Sequence, residues 1–156
     1  MCSYSYYINF TSESKENFFE REDLMENEKN VSVLDLLLRP EVPDARKVLP
    51  EKRVEVKRLS EITGEPVIFT VRALTYKEVR DLQDKPREDQ AVSAVLYGCK
   101  DPDWRDSRLL DAEKGAVTPP DAIKARLTAG EIDELYIEIQ RLSGYLRKTL
   151  VEVKNA

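Results

Sequence analysis

The sequence predicts an α+β fold: an N-terminal β-hairpin, then a cluster of mostly short helices with one longer C-terminal helix. Three observations carry this. Residues 53–59, RVEVKRL, and 67–74, VIFTVRAL, alternate apolar and polar residues at the period of a strand, with Gly64 in the segment between them. After Thr75 the apolar spacing changes to three and four, the period of a helix. Prolines and glycines then cut that stretch into short pieces until Gly130, beyond which the pattern runs on without a break as far as Gly144.

The bulk properties set the frame. A chain of 156 residues, 41% hydrophobic and 35% charged, is enough for one domain with a real core. No run approaches the roughly 18 apolar residues of a membrane span, and the start lacks the basic and apolar segments of a secretory signal. A cytoplasmic setting is expected, with no membrane partner. There is no histidine, which excludes a Ser-His-Asp or Cys-His arrangement and removes the commonest transition-metal ligand. Two cysteines are too few for a zinc site or a disulfide framework. The net charge is −5, and residues 1–30, with seven acidic and three basic side chains, hold −4 of it. The most basic stretch, EKRVEVKR at 51–58, interleaves its cations with glutamates, so no nucleic-acid partner is expected.

Residues 1–30 carry six of the twelve aromatics within their first 19 positions, without sustained period. They are expected to form a disordered or non-native arm, with Met25 a second possible initiator. Residues 31–156 are expected to form a single domain. Ser32 can cap a short helix bearing Val33, Leu34, Leu36, Leu37 and Leu38, which Pro40 and Pro43 end. Such a helix is too short to stand alone, so its apolar face must dock on the body or on a partner. The hairpin follows, turning through SEITGEP. Thr75-x-x-Glu78 is a capping box opening a helix with Val79 and Leu82. KPREDQ interrupts, and AVSAVLYGC at 91–99 reads as a helix stopped by Gly98. Asp101-Pro102 begins a turn, and DSRLLDAEKG at 106–115 reads as a short helix. Thr118 caps the next helix, with Pro119 in its first position. Thr128-x-x-Glu131 opens the longest one, whose Ile132, Leu135, Tyr136, Ile139, Leu142 and Leu146 share a face.

The stretch GCKDPDWRDSRLL, 98–110, has the look of a chemical site. Cys99 ends a helix, where the dipole disfavours a thiolate, so a packed, structural thiol is expected. Asp101, Asp103 and Asp106 lack the glycine and terminal glutamate of a calcium loop and suit turns and caps. Trp104 serves either as a packing anchor or at a protein interface. Nothing assembles a nucleophile, a base and an oxyanion donor, so no catalytic, cofactor or metal residue is assigned. The candidate partner-binding residues are Leu34, Leu37, Leu38 and Trp104.

The order of motifs is more specific than any one of them. SVLDLLLRPEV is followed by a strand ending in FTVRALTYKE, then VLYGCKDPDW, LLDAEKGAVTP, GEIDEL and LSGY. Over roughly residues 32–155 this resembles the XkdN-like tail assembly chaperones of tailed phages and PBSX-type prophages in Gram-positive bacteria. Residues 1–30 have no counterpart in the pattern. The resemblance implies a non-enzymatic protein of the bacterial host cytoplasm that uses no cofactor and is absent from the mature virion. It implies that the chain coats the tape measure protein, keeps it soluble and helps bring tail tube subunits to it. A frameshifted longer form of itself and a homo-oligomer are further implied partners. The competing expectation is a structural tail component, such as a tail completion or tube-associated protein, retained in the particle.

Overall fold

The computed structural model describes residues 31–154; the expectation for the arm at 1–30 lies outside them. The chain divides into two units, one ending at Pro43 and one beginning at Asp44. In the first, helix α1 spans Val33–Leu37, and the Ser32 hydroxyl accepts a hydrogen bond from the Asp35 N–H at 3.1 Å.

The second unit holds an antiparallel sheet of three strands in the order β1-β2-β3. Strand β1, Glu51–Glu55, pairs with β2, Ile68–Arg72, in a register that sets Val54 opposite Phe69 and Lys52 opposite Val71. The two predicted strands therefore pair as expected, but a tight turn does not join them. Lys57–Thr63 is a helix, α2, and Gly64 caps it in the left-handed region at φ 74°. The apolar alternation stops at Val56, whose N–H still donates to the Val67 carbonyl at 2.9 Å. The next seven residues contain no glycine or proline and are free to coil. The Ser60 hydroxyl then accepts from the Val67 N–H at 2.8 Å and ties the helix to the returning strand.

Strand β3, Cys99–Asp101, was not foreseen; the sequence reads there as a helix end and a turn. It pairs Cys99 with Val71 and Asp101 with Thr70 across a register shift, and a cis Asp101–Pro102 peptide follows. Residues 106–115 are also not one helix. They form two 3-10 turns, Ser107–Leu109 and Ala112–Lys114, the second closed by a bridge between Asp111 and Ala116.

Four helices complete the unit: α3 at Tyr76–Gln83, α4 at Arg87–Gly98, α5 at Pro119–Arg126 and α6 at Ala129–Leu142. The capping boxes at Thr75, Thr118 and Thr128 all form, with an acidic partner three residues on in each. Helix α4 begins four residues before its apolar run. Helix α6 stops at Leu142, short of the predicted Leu146; Gly144 has φ 93° and Leu146 itself φ 61° and is exposed. The centre of the core is Val71 from the sheet with Val95, Ile123 and Ile139 from α4, α5 and α6, all fully buried.

Candidate partner-binding surfaces

The leucines of the first unit are uncovered. Leu34, Leu37 and Leu38 are 65%, 62% and 73% exposed, and Val33 and Leu36 are exposed with them. Five large apolar side chains within six positions are thus exposed.

Trp104 lies elsewhere and is placed otherwise. It is 3% exposed, with its ring edge-on to Phe69 at 5.9 Å between centroids, so its position serves packing of the loop onto the sheet. Its Nε1 is buried without a well-formed hydrogen bond; the soft sulfur of Cys99 is its polar neighbour. Cys99 is buried and reduced. Burial pushes its thiol up to about 11, which the Trp104 contact partly offsets and Asp101 reinforces. A thiol so placed stays protonated and unreactive at neutral pH.

The aspartates of this loop act on their own backbone. Asp103 accepts from the Arg105 N–H at 3.0 Å and Asp106 from the Arg108 N–H at 2.9 Å. The Arg108 guanidinium, also hydrogen-bonded to Asp106, holds that carboxyl down at about 2. Among the described residues no cluster of three acidic or thiol side chains is placed to hold a metal ion. No described helix is long and apolar enough to cross a membrane.

The sequence missed one surface, a groove of about 560 Å³ between β1 and α6. Its apolar lining is Val54, Val56, Leu135 and Ile137, and ion pairs span it at both ends. Lys52 reaches Glu138 at 2.8 Å, and Arg58 reaches Glu131 at 2.7 Å while also donating to the Arg126 carbonyl. Two of the interleaved charges of EKRVEVKR, read as an argument against nucleic acid, are thus partners of a helix some eighty residues on. No local pattern could have shown this, because the pairing depends on how α6 crosses the sheet.

No curated protein and no solved structure matches the chain. The family model of the phage XkdN-like tail assembly chaperone protein matches residues 34–156, which takes in α1 from its second residue, the whole sheet and every described helix after α1. The chain belongs to the phage XkdN-like tail assembly chaperone family.

Proposed function

We propose that this chaperone binds the tape measure protein in the bacterial host cytoplasm, keeps it soluble while the tail is built, and helps recruit tail tube subunits to it. The observation that carries this reading is α1, whose Leu34, Leu37 and Leu38 stand exposed within the matched region. A long, partly apolar client that must later be released calls for small apolar contacts repeated over many copies, rather than one deep pocket. Exposed leucines on a short helix supply such a contact at modest strength per copy. A frameshifted longer form of the chain would carry the same helix and could join the same assembly.

The test is co-expression with the tape measure protein encoded nearby, followed by solubility assay and pull-down. The tape measure protein is expected to become soluble and to co-purify with several copies of the chain. The triple variant Leu34→Ser, Leu37→Ser, Leu38→Ser is expected to weaken capture at least about tenfold, the equivalent of about 1.4 kcal/mol. Its own folding is expected to be unaffected, because these leucines are exposed. A tape measure protein that stays insoluble and unbound overturns the reading. Finding the chain in purified tails would favour a structural tail component instead.

A further inference from the structure

Strand β1 is an outer strand, and among the described residues no strand pairs with its second edge. The register fixes which backbone groups are left over. Val56 N–H donates to the Val67 carbonyl and Ala73 N–H to the Pro50 carbonyl, so the hydrogen-bonded pairs with β2 fall at positions 50, 52, 54 and 56. The N–H and C=O groups of Glu51, Arg53 and Glu55 therefore face away from β2. No hydrogen bond from the described residues reaches them. Beside this edge lies the groove against α6, with Val54, Val56, Leu135 and Ile137 in its lining.

The C-terminal tail has the complementary character. Thr149–Lys154 reads TLVEVK, and its last four residues repeat Val54–Lys57, VEVK, which runs from the end of β1 into the start of α2. The segment alternates at the strand period but has no strand partner. Leu150, Val151 and Val153 are 83%, 80% and 85% exposed. Among the described residues, both a strand edge and a strand-like segment are thus left unpaired.

We propose that Thr149–Lys154 of one copy adds as a fourth strand to the open edge of β1 in a second copy. Side-chain parity supports the match. Lys52, Val54 and Val56 project toward the α6 side of the sheet, as the Lys52–Glu138 pair and the core packing of the valines show. With Glu152 set beside Arg53, Val151 and Val153 fall on that same side and enter the apolar groove. Lys154 then lies beside Glu51 if the strands run antiparallel and beside Glu55 if they run parallel. The charges are complementary in both directions, whereas a slip of one residue drives Glu152 and Lys154 into the groove. A second copy is the occupant because in the single chain the tail does not seat on its own edge. The contact is heterologous, so it can propagate from copy to copy or close reciprocally. It requires nothing of the tape measure protein and stands apart from the reading above.

Light scattering and sedimentation of the full chain across a wide concentration range test it. The mass is expected to rise with concentration above the 18.0 kDa of one chain. Arg53→Pro removes an outward N–H without touching a β1–β2 hydrogen bond, and edge strands accept proline at such a position. Val151→Asp with Val153→Asp spoils only the tail. Each variant alone is expected to hold the single-chain mass. Mixing them is expected to restore a dimer, because one supplies an intact tail and the other an intact edge. If Arg53→Pro does not fold, a synthetic peptide of residues 147–156 decides: it should dissociate wild-type assemblies, and failure to do so counts against the proposal. A wild type that stays at single-chain mass throughout, or a tail variant that associates as wild type does, overturns it.

Discussion

Gly98 closes α4 against Ile139 of α6, and a Cβ built on it would lie 2.6 Å from Ile139 Cδ1 and 2.9 Å from Cγ1. Ile139 is fully buried, so it has little room to turn aside. From the sequence Gly98 reads as a helix stop, and the chain does leave the helix there. Its larger role, letting two helices approach, depends on a partner 41 positions away and leaves no local trace. Gly98→Ala should lower stability by about 1–3 kcal/mol through overpacking, despite alanine's advantage of up to ~1 kcal/mol as a helix former. Ile139→Val in the same chain should recover part of that loss, so urea melts of the two single variants and the double variant should show non-additivity. Additive losses would mean that the two residues do not meet as described. Cys99, the next residue, was legible as a packed thiol because its apolar run and helix-end position are both local facts.

At the scale of elements, what could be read was what is local. A capping box needs only a threonine and an acid three residues apart; the two boxes read at Thr75 and Thr128 form, and Thr118, read only as a cap, forms a third with Asp121. Elements set by distant partners could not be read. β3 is three residues long and exists because β2 offers an edge. α2 continues from a strand pattern with no breaker to announce the change. Residues 106–115 have helical spacing, yet they form two 3-10 turns, the second of them closed by the Asp111–Ala116 bridge. The box at Thr128 has the largest consequence, since it starts the longest helix and its Glu131 also accepts from Arg58 on α2. Thr128→Ala should cost about 1 kcal/mol of stability, read from the shift in urea midpoint at unchanged slope. Thr128→Ser keeps the hydroxyl and should stay close to wild type. Equal losses from both would assign the effect to the methyl group rather than the cap.

The body from Asp44 onward is tied together by carboxylates as well as by its core, and this governs its response to acid. Glu78 is pushed up by burial, but the two hydrogen bonds from the Arg72 guanidinium and the Thr75 N–H bring it below the ordinary carboxylate value. Glu131 is likewise raised by burial and brought below that value by Arg58 and Thr128, while Lys52 leads in lowering Glu138. Asp44 and Asp106 are lowered too, but their arginines are only two residues away, and such pairs persist in part when the chain unfolds. Lys52–Glu138 and Arg58–Glu131, separated by 86 and 73 positions, exist only in the folded body. A carboxylate held below its unfolded value binds fewer protons when folded, so the stability it contributes is complete above the unfolded pKa and is lost as pH falls through the folded one. The urea midpoint should therefore change little from neutral pH down to about pH 5 and then fall below about pH 4.3, the ordinary glutamate value. A chain with Glu78→Gln, Glu131→Gln and Glu138→Gln should be less stable at neutral pH and should lose less on acidification. Added salt should weaken the wild type's advantage, because these pairs are partly exposed. If the triple variant keeps the wild-type slope against pH, the acid sensitivity lies in other groups. The separation of the partners in the chain also explains why the groove could not be read in advance. Its charges looked like a self-neutralised strand, and only the crossing of α6 over the sheet gives Lys52 and Arg58 their partners.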